Sequence, residues 1–395
     1  MNISKSLFYK LILAAIIFRL FLAAFLYHPD LKTQYFHGQF LTKGVFNIYD
    51  YLNINRFNLG YSDTFNYPPL AYVFFGSHYA VSQLLLGNNL DAWINDWSAD
   101  YLFRPGLFTN LLILKLPYLI FDLLTLYFLT KLITHNQKLI TILWLYNPVS
   151  WYAIYAIGQF DILPVLATVL TLYFIKNQKF ALAGLMLGIG AAFKTYPILL
   201  LPALFIVIPK LKDKIISTIL GLGIWIIGLL FNGSLGSLQS GLTMRILALG
   251  IPVSGSQSIL LFPFVYFLAL WYLFKNPKNI IWFFFSVTVS VITFSQFHFQ
   301  WVLWSMPFLT ILVFKQRSLI IPAIGFITLA FAHQLLLNDQ YSLIALFSPI
   351  NPYLAGIPSI PNLIKFPLDL VNTFIQTGIF ASGIYLIVRS YDVEI

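Results

Sequence analysis

Long apolar runs without alternation recur along the whole chain, and they decide most of what it can fold into. The clearest are Leu7 to Tyr27, Leu107 to Leu132, Ile215 to Phe231, Leu319 to Leu337 and Leu368 to Val388. Only 9% of the residues are charged and 59% are hydrophobic, against roughly 25% charged in a soluble domain. Lipid is therefore the solvent for most of this chain. Lipid offers backbone groups no partners, so the spans are helices. A transmembrane barrel is excluded, because barrel strands alternate. The expected fold is all-α and polytopic.

The remaining composition removes several function classes. There are no cysteines, which rules out disulfides, thiol catalysis and Cys-ligated metals. The net charge of +10 does not point to nucleic acid, because the Lys and Arg residues sit mainly in short loops, where they set topology. Met1 to Tyr27 carries Lys5 and Lys10 ahead of its apolar run but no small-residue cleavage site, so it reads as a retained first helix.

The basic loops order the spans. Lys5 and Lys10, Lys131 and Lys138, Lys176 and Lys179, Lys210 to Lys214, Lys275 and Lys278, Lys315 and Arg317, and Arg389 all belong on the cytoplasmic side. One arrangement satisfies them. Phe180 to Pro209 crosses twice, as two short helices joined at the KTYP break, Lys194 to Pro197. Tyr67 to Arg104 makes no net crossing, as a re-entrant or interfacial segment. The alternative, a full span at Tyr67, strands one basic loop outside. The preferred arrangement has about twelve crossings with both termini inside. Each half of the broken stretch is shorter than the ~20 residues of a full span, which puts the break near a polar cavity. The chain then reads as one polytopic domain: a core over 1–210, whose first outer loop is 28–106, and a more variable helical half over 211–395.

This order brings polar groups from distant segments to one outer face. The first outer stretch, from His28 to Leu70, holds Asp30, Lys32, His37, Asp50, Arg56 and Asp63. Asp30 follows Pro29, where the first helix should end. It reads either as a solvated loop carboxylate or as a general base at the water–lipid boundary, with Asp50 and Asp63 as weaker candidates. Gln159 and Asp161 stand in the GQFD motif between two spans, and Asp161 is either a helix cap or a substrate contact. Lys194 is a cation inside an apolar run, so it must pair with a protein carboxylate or a lipid phosphate. His298 lies between two spans among aromatics, and Arg245 is the basic group of its outer loop. Arg19 and Asp122, both within helices, are expected to neutralise one another. No glycine-rich nucleotide loop, paired acidic motif or His–carboxylate cluster is legible, so neither a nucleotide sugar nor a dedicated metal is expected.

Several motifs, in this order, resemble the GT-C superfamily of membrane glycosyltransferases. They are FRL in the first helix, HPD, GVFNIYDY, YPPLAY, KLPYLIFDLL, WLYNPVSW followed by GQFDILP, FKTYPILLLP, and HFQWVLWSMPF, covering Phe18 to Phe308. The resemblance is to GPI-mannosyltransferases and related bacterial and archaeal mannosyltransferases. It implies a polyprenyl- or dolichyl-phosphate sugar as donor, most simply of mannose, no separate cofactor, and transfer on the outer face of a plasma membrane. The family's acidic base in the first outer loop maps onto Asp30, which here lacks the acidic neighbour many members show. Lys194, His298 and Arg245 would then face the donor phosphate. Gln159, Asp161, His37, Gln300, Tyr67 and Tyr196 would contact substrate. The rival readings are a secondary transporter, which also uses broken helices, and an assembly subunit that has lost catalysis.

Overall fold

The computed structural model describes residues 4–230, 249–255, 257–295, 297–364 and 367–391. Helix α1 (Lys5–Phe25) starts on Ser4, whose hydroxyl accepts the Leu7 N–H at 3.2 Å. It runs antiparallel to α6 (Leu107–Leu132): Lys115 Nζ donates to the Leu26 carbonyl at 2.6 Å, and Arg19 Nε meets Asp122 Oδ2 at 2.8 Å. The chain from Leu26 to Gly106 thus leaves and returns at one end, with no net crossing.

That excursion is far more helical than its polar composition suggests. It holds α2 (Pro29–Thr42), α3 (Ile48–Asn55), α4 (Pro69–Leu86) and α5 (Asn88–Asn95). Helices α2 and α4 lie antiparallel. Tyr35 Oη is 2.7 Å from His78 Nδ1, Gly38 abuts Phe75, and Tyr72 Oη donates to the Val45 carbonyl at 2.6 Å. Asn95 at the end of α5 exchanges amide hydrogen bonds with Gln39 of α2. The polar region after the first helix is therefore a packed helical cap. Inside it, the Lys32 ammonium sits 4.2 Å from the ring centres of Trp97 and Tyr101, a cation–π box.

The next pass is broken. Helix α7 (Gln137–Leu145) is followed by the short α8 (Pro148–Ser150), which opens into a π turn, Trp151–Ala156. The chain reverses at Gly158, whose φ of 67° suits glycine. It descends as α9 (Ile162–Lys176) and climbs again as α10 (Phe180–Phe193). After Phe193 it turns through Tyr196–Leu200 into α11 (Leu201–Val207), and then rises as α12 (Leu211–Leu230).

Helices α10 and α12 are parallel, since Gly184 packs on Ser217 and Gly188 on Gly221. Between two parallel helices α11 has to run back, so Phe180 to Pro209 does go out and return, joined at KTYP. The contact is as close as backbones allow: a Cβ on Gly184 would come within 2.1 Å of the Ser217 carbonyl oxygen. Two small residues four apart on each helix are what lets helices approach in lipid, where apolar burial supplies no drive.

A two-stranded antiparallel hairpin, β1 (Gly250–Ser254) and β2 (Gln257–Leu260), precedes α13 (Leu261–Lys275). Four helices complete the described chain, with the short α17 (Ile360–Leu363) between the last two. These are α14 (Ile280–Phe294), α15 (Phe299–Lys315), α16 (Ile320–Leu337) and α18 (Leu368–Arg389). Every residue of α14 is buried, as is all of α15 except Gln300 and Lys315, so these two form the centre of the bundle. Helix α18 lies antiparallel to α14, with Trp282 Nε1 donating to the Ile387 carbonyl at 2.8 Å.

Among the described residues, five helices are long and apolar enough to cross a membrane: α1, α6, α12, α18, and α16 counted with its preceding turn from Arg317. The basic loops collect at one end. Lys138 reaches the Phe8 ring, Lys176 donates to the Leu132 carbonyl, His135 packs on Phe314, and Asn279 donates to the Tyr391 carbonyl.

The expected pairing inside α1 and α6 is present. Arg19 and Asp122 are both fully buried. Asp122 also accepts from Trp144 Nε1 at 2.7 Å and Tyr155 Oη at 2.8 Å, and Arg19 Nη1 donates to the Leu145 carbonyl at 2.8 Å. A buried ion pair depends on partners for its remaining lone pairs and protons; here those bonds tie α1, α6, α7 and the π turn together, and Arg19 Nη2 is left without one.

Candidate active site

The site lies at the end opposite the basic loops, where α2, the α8–α9 turn, the KTYP break and the start of α15 converge. Asp30 is in the first turn of α2. Its backbone N–H is capped by His28 Nδ1 at 3.3 Å, and Pro29 pre-sets the helical φ just before it. This is a helix start as well as the end of the first helix. The Asp30 side chain is half-exposed, and Gln159 Nε2 donates to its Oδ2 at 2.6 Å. Gln159 is buried, and its Oε1 accepts from Gln34 Nε2 at 3.4 Å, one helical turn after Asp30.

Gln159 is presented by the turn built on Gly158. A Cβ at Gly158 would lie 3.2 Å from Lys115 Cε and 3.4 Å from Leu31 Cβ. Beneath it the buried Lys115 Nζ donates to the carbonyls of Leu26 and Tyr155 at 2.6 and 2.7 Å. One ammonium thus ties the end of α1 to the π turn, which fixes where Asp30 and Gln159 meet.

Asp161 and Lys194 form a second, deeper pair. Lys194 Nζ is 2.7 Å from Asp161 Oδ2, and Trp304 Nε1 donates to Asp161 Oδ1 at 2.6 Å. Of the two partners the sequence allowed for Lys194, the structure supplies the protein carboxylate. The ammonium lies 5.3 Å from the centre of the Tyr67 ring and 4.7 Å from that of Phe160. Tyr67 is the link between the two carboxylates: burial, then the charges of Asp30 and Asp161, push its hydroxyl well above the usual phenol range.

The other candidates fall around this pair. Tyr196 stacks on Trp304 with ring centres 4.0 Å apart, Trp304 stacks on Trp301 at 5.1 Å, and His298 lies against Trp301 at 4.8 Å. Gln300 is half-buried in the first turn of α15. Arg245 lies outside the described residues.

A cleft with about 100 Å³ of open volume runs past Asp30, between α2 and the 61–67 segment. Gln34, His37, Asp63 and Tyr67 also line it. His37 is buried on α2, and that burial pushes its pKa down to about 4 despite the neighbouring Asp63. Asp50, by contrast, sits in the first turn of α3, exposed and bonded to its cap Asn47.

Sequence reasoning did not single out Gln34 or Trp304. Gln34 stands four residues after Asp30, a spacing that becomes meaningful only once HPD is read as a helix start. Trp304 belongs to a motif already noted, but its tie to Asp161 joins residues far apart in the chain.

A comparison with curated proteins returns no match. The sequence model of glycosyltransferase family 87 matches residues 101–314. That segment covers more than half of the chain and contains Gln159, Asp161, Lys194, His298 and Trp304, while the loop with Asp30 precedes it. The chain belongs to glycosyltransferase family 87, a family of membrane glycosyltransferases of the GT-C type.

Proposed function

We propose that the protein transfers a hexose, mannose by resemblance, from a polyprenyl-phosphate donor to an acceptor hydroxyl, with Asp30 as the general base. The observation that carries this is the setting of Asp30. It is a half-exposed carboxylate at the mouth of a cleft, held in place by a buried amide and followed inward by a buried ion pair.

The step is a single displacement. Asp30 takes the proton of the acceptor hydroxyl while that oxygen forms its bond to the anomeric carbon. The bond from that carbon to the phosphate oxygen breaks, and the lipid phosphate leaves with the electron pair. Phosphate departs without being protonated, so one carboxylate suffices for proton transfer.

The growing phosphate charge needs cations where water is scarce. Lys194 has three donors and gives one to Asp161. We assign it to the phosphate, with His298, beside the Tyr196–Trp304–Trp301 stack, and Arg245 as further donors. Gln159, Asp161, His37, Gln300, Tyr67 and Tyr196 are assigned to substrate contact. With the basic end in the cytoplasm, as charge bias favours, the site opens on the far side of a plasma membrane. Nucleotide sugars are scarce there. Membership in a transferase family favours this reading over a transporter or an inactive subunit.

The test is donor choice. Purified protein in lipid nanodiscs is offered radiolabelled polyprenyl-phosphate mannose or GDP-mannose, each with a host lipid extract as acceptor. Label should move only from the lipid-linked donor, with release of polyprenyl phosphate. Transfer from GDP-mannose alone would refute the assignment.

A further inference from the structure

Two buried acceptors in the cleft have nothing to accept. Gln34 and His37 are 2% and 1% exposed, and Gln34 Oε1 and His37 Nε2 have no hydrogen-bond partner. An unsatisfied buried polar atom is costly, so its persistence asks for an occupant.

The polarity of both atoms is set by their neighbours. A carboxylate only accepts, so Gln159 must turn its NH2 group to Asp30. That points Gln159 Oε1 at Gln34, which must answer with its own NH2 group. Gln34 is then left with a carbonyl oxygen for the cleft. His37 lies beside Asp63, and burial pushes its pKa down to about 4, so the neutral ring has one nitrogen with a bare lone pair. Nε2, which has no protein partner, can offer that lone pair to the cleft. Asp30 and Asp63 add two carboxylates, and the donors of the lining, on Thr33, Tyr61, Thr64, Asn66 and Tyr67, are uncharged, with no Lys or Arg. A phosphate would meet two negative charges here and no cation to offset them. A sugar ring brings one donor per hydroxyl.

We propose that the cleft is the acceptor subsite and takes an uncharged sugar ring, whose hydroxyls donate to Gln34 Oε1 and His37 Nε2 while a neighbouring hydroxyl is delivered to Asp30. This rests on the transferase reading above. It separates the two substrates in space: the polyol between α2 and the 61–67 segment, the phosphate on the Lys194 side of Tyr67.

The probes are methyl hexopyranosides, beginning with methyl α-D-mannopyranoside, and methyl phosphate. Binding is followed by saturation-transfer NMR on the full chain in nanodiscs. At least one glycoside should bind. Gln34→Met and His37→Phe should each weaken it about tenfold. His37→Gln, whose amide oxygen can accept, should recover part of the loss. Thermal midpoints near that of the parent protein show that the variants fold, and Gln34→Met, close in shape, serves if His37→Phe does not. In turnover, the KM for the acceptor should rise with the donor KM unchanged.

Absence of binding by any glycoside would overturn the proposal. So would unchanged affinity in both variants, or displacement of glycoside by methyl phosphate. Cleft-dependent glycoside binding without any transfer would sink the transferase reading and leave the polyol site standing. Transfer with an unchanged acceptor KM in both variants would sink the polyol site alone.

Discussion

Replacing Asp30 by Asn is expected to lower kcat by ~10²- to 10⁴-fold, the range a positioned general base contributes. Gln159 presents an N–H to this side chain at 2.6 Å, so the substituted amide would turn its oxygen to Gln159 and its NH2 group to the acceptor. The attacking hydroxyl would meet a donor where it needs a base. Donor binding should survive, because the phosphate lies on the other side of Tyr67 in the proposed arrangement. Asp30→Glu keeps a carboxylate but displaces it by about an ångström, which alone costs on the order of 10²-fold. Single-turnover rates at saturating donor measure both. An Asp30→Asn rate within about tenfold of the parent, below that range, would transfer the base role to another carboxylate.

Removing the carboxylate of Asp161 should have the largest effect on stability. Its two oxygens carry the Lys194 ammonium and the Trp304 indole, all three side chains being buried. Asp161→Ala leaves an uncompensated cation against Tyr67 and Phe160, a cost of about 3–5 kcal/mol. It should appear as a large fall in the thermal midpoint and in folded yield. The double variant Asp161→Ala with Lys194→Met removes the stranded charge and should regain much of that loss. It should still transfer slowly, since the phosphate has lost its cation. A single variant as stable as the parent would mean that Lys194 finds another partner or reaches water. A double variant with parental kinetics would remove Lys194 from the donor site.

The sequence carried the topology well, because charges inside apolar runs are few and each has to be accounted for. Arg19 and Asp122 could be matched in advance since neither can stand alone in a helix pair. The KTYP break was legible from a lysine and a proline in a stretch too long for one span and too short for two full ones. The absence of a net crossing from Tyr67 to Arg104 followed from keeping every basic loop on one side.

What stayed hidden was helix α2. It is buried on most sides, through polar residues such as Lys32, Gln34, His37 and Gln39 as well as aromatics, so no apolar stripe marks it. Its only signal was the His28-Pro29-Asp30 start, a cap followed by proline and an acid in the first turn. The partner of Lys194 was hidden for a different reason: two partners were chemically equal until folding brought Asp161 to it. The small-residue pairs of α10 and α12 were in plain view, but spacing alone does not say which helix answers which.

The most direct measurement is the anomeric configuration of the product. A single displacement, with Asp30 as base and lipid phosphate as leaving group, must invert the anomeric carbon. A β-linked polyprenyl-phosphate mannose with 13C at the anomeric position would be turned over by the purified protein. The one-bond carbon–hydrogen coupling of the product then reads its configuration. An α-linked product is the expected result. A β-linked product would require two displacements through a covalent glycosyl–protein intermediate, and would contradict the assignment of Asp30 as a base.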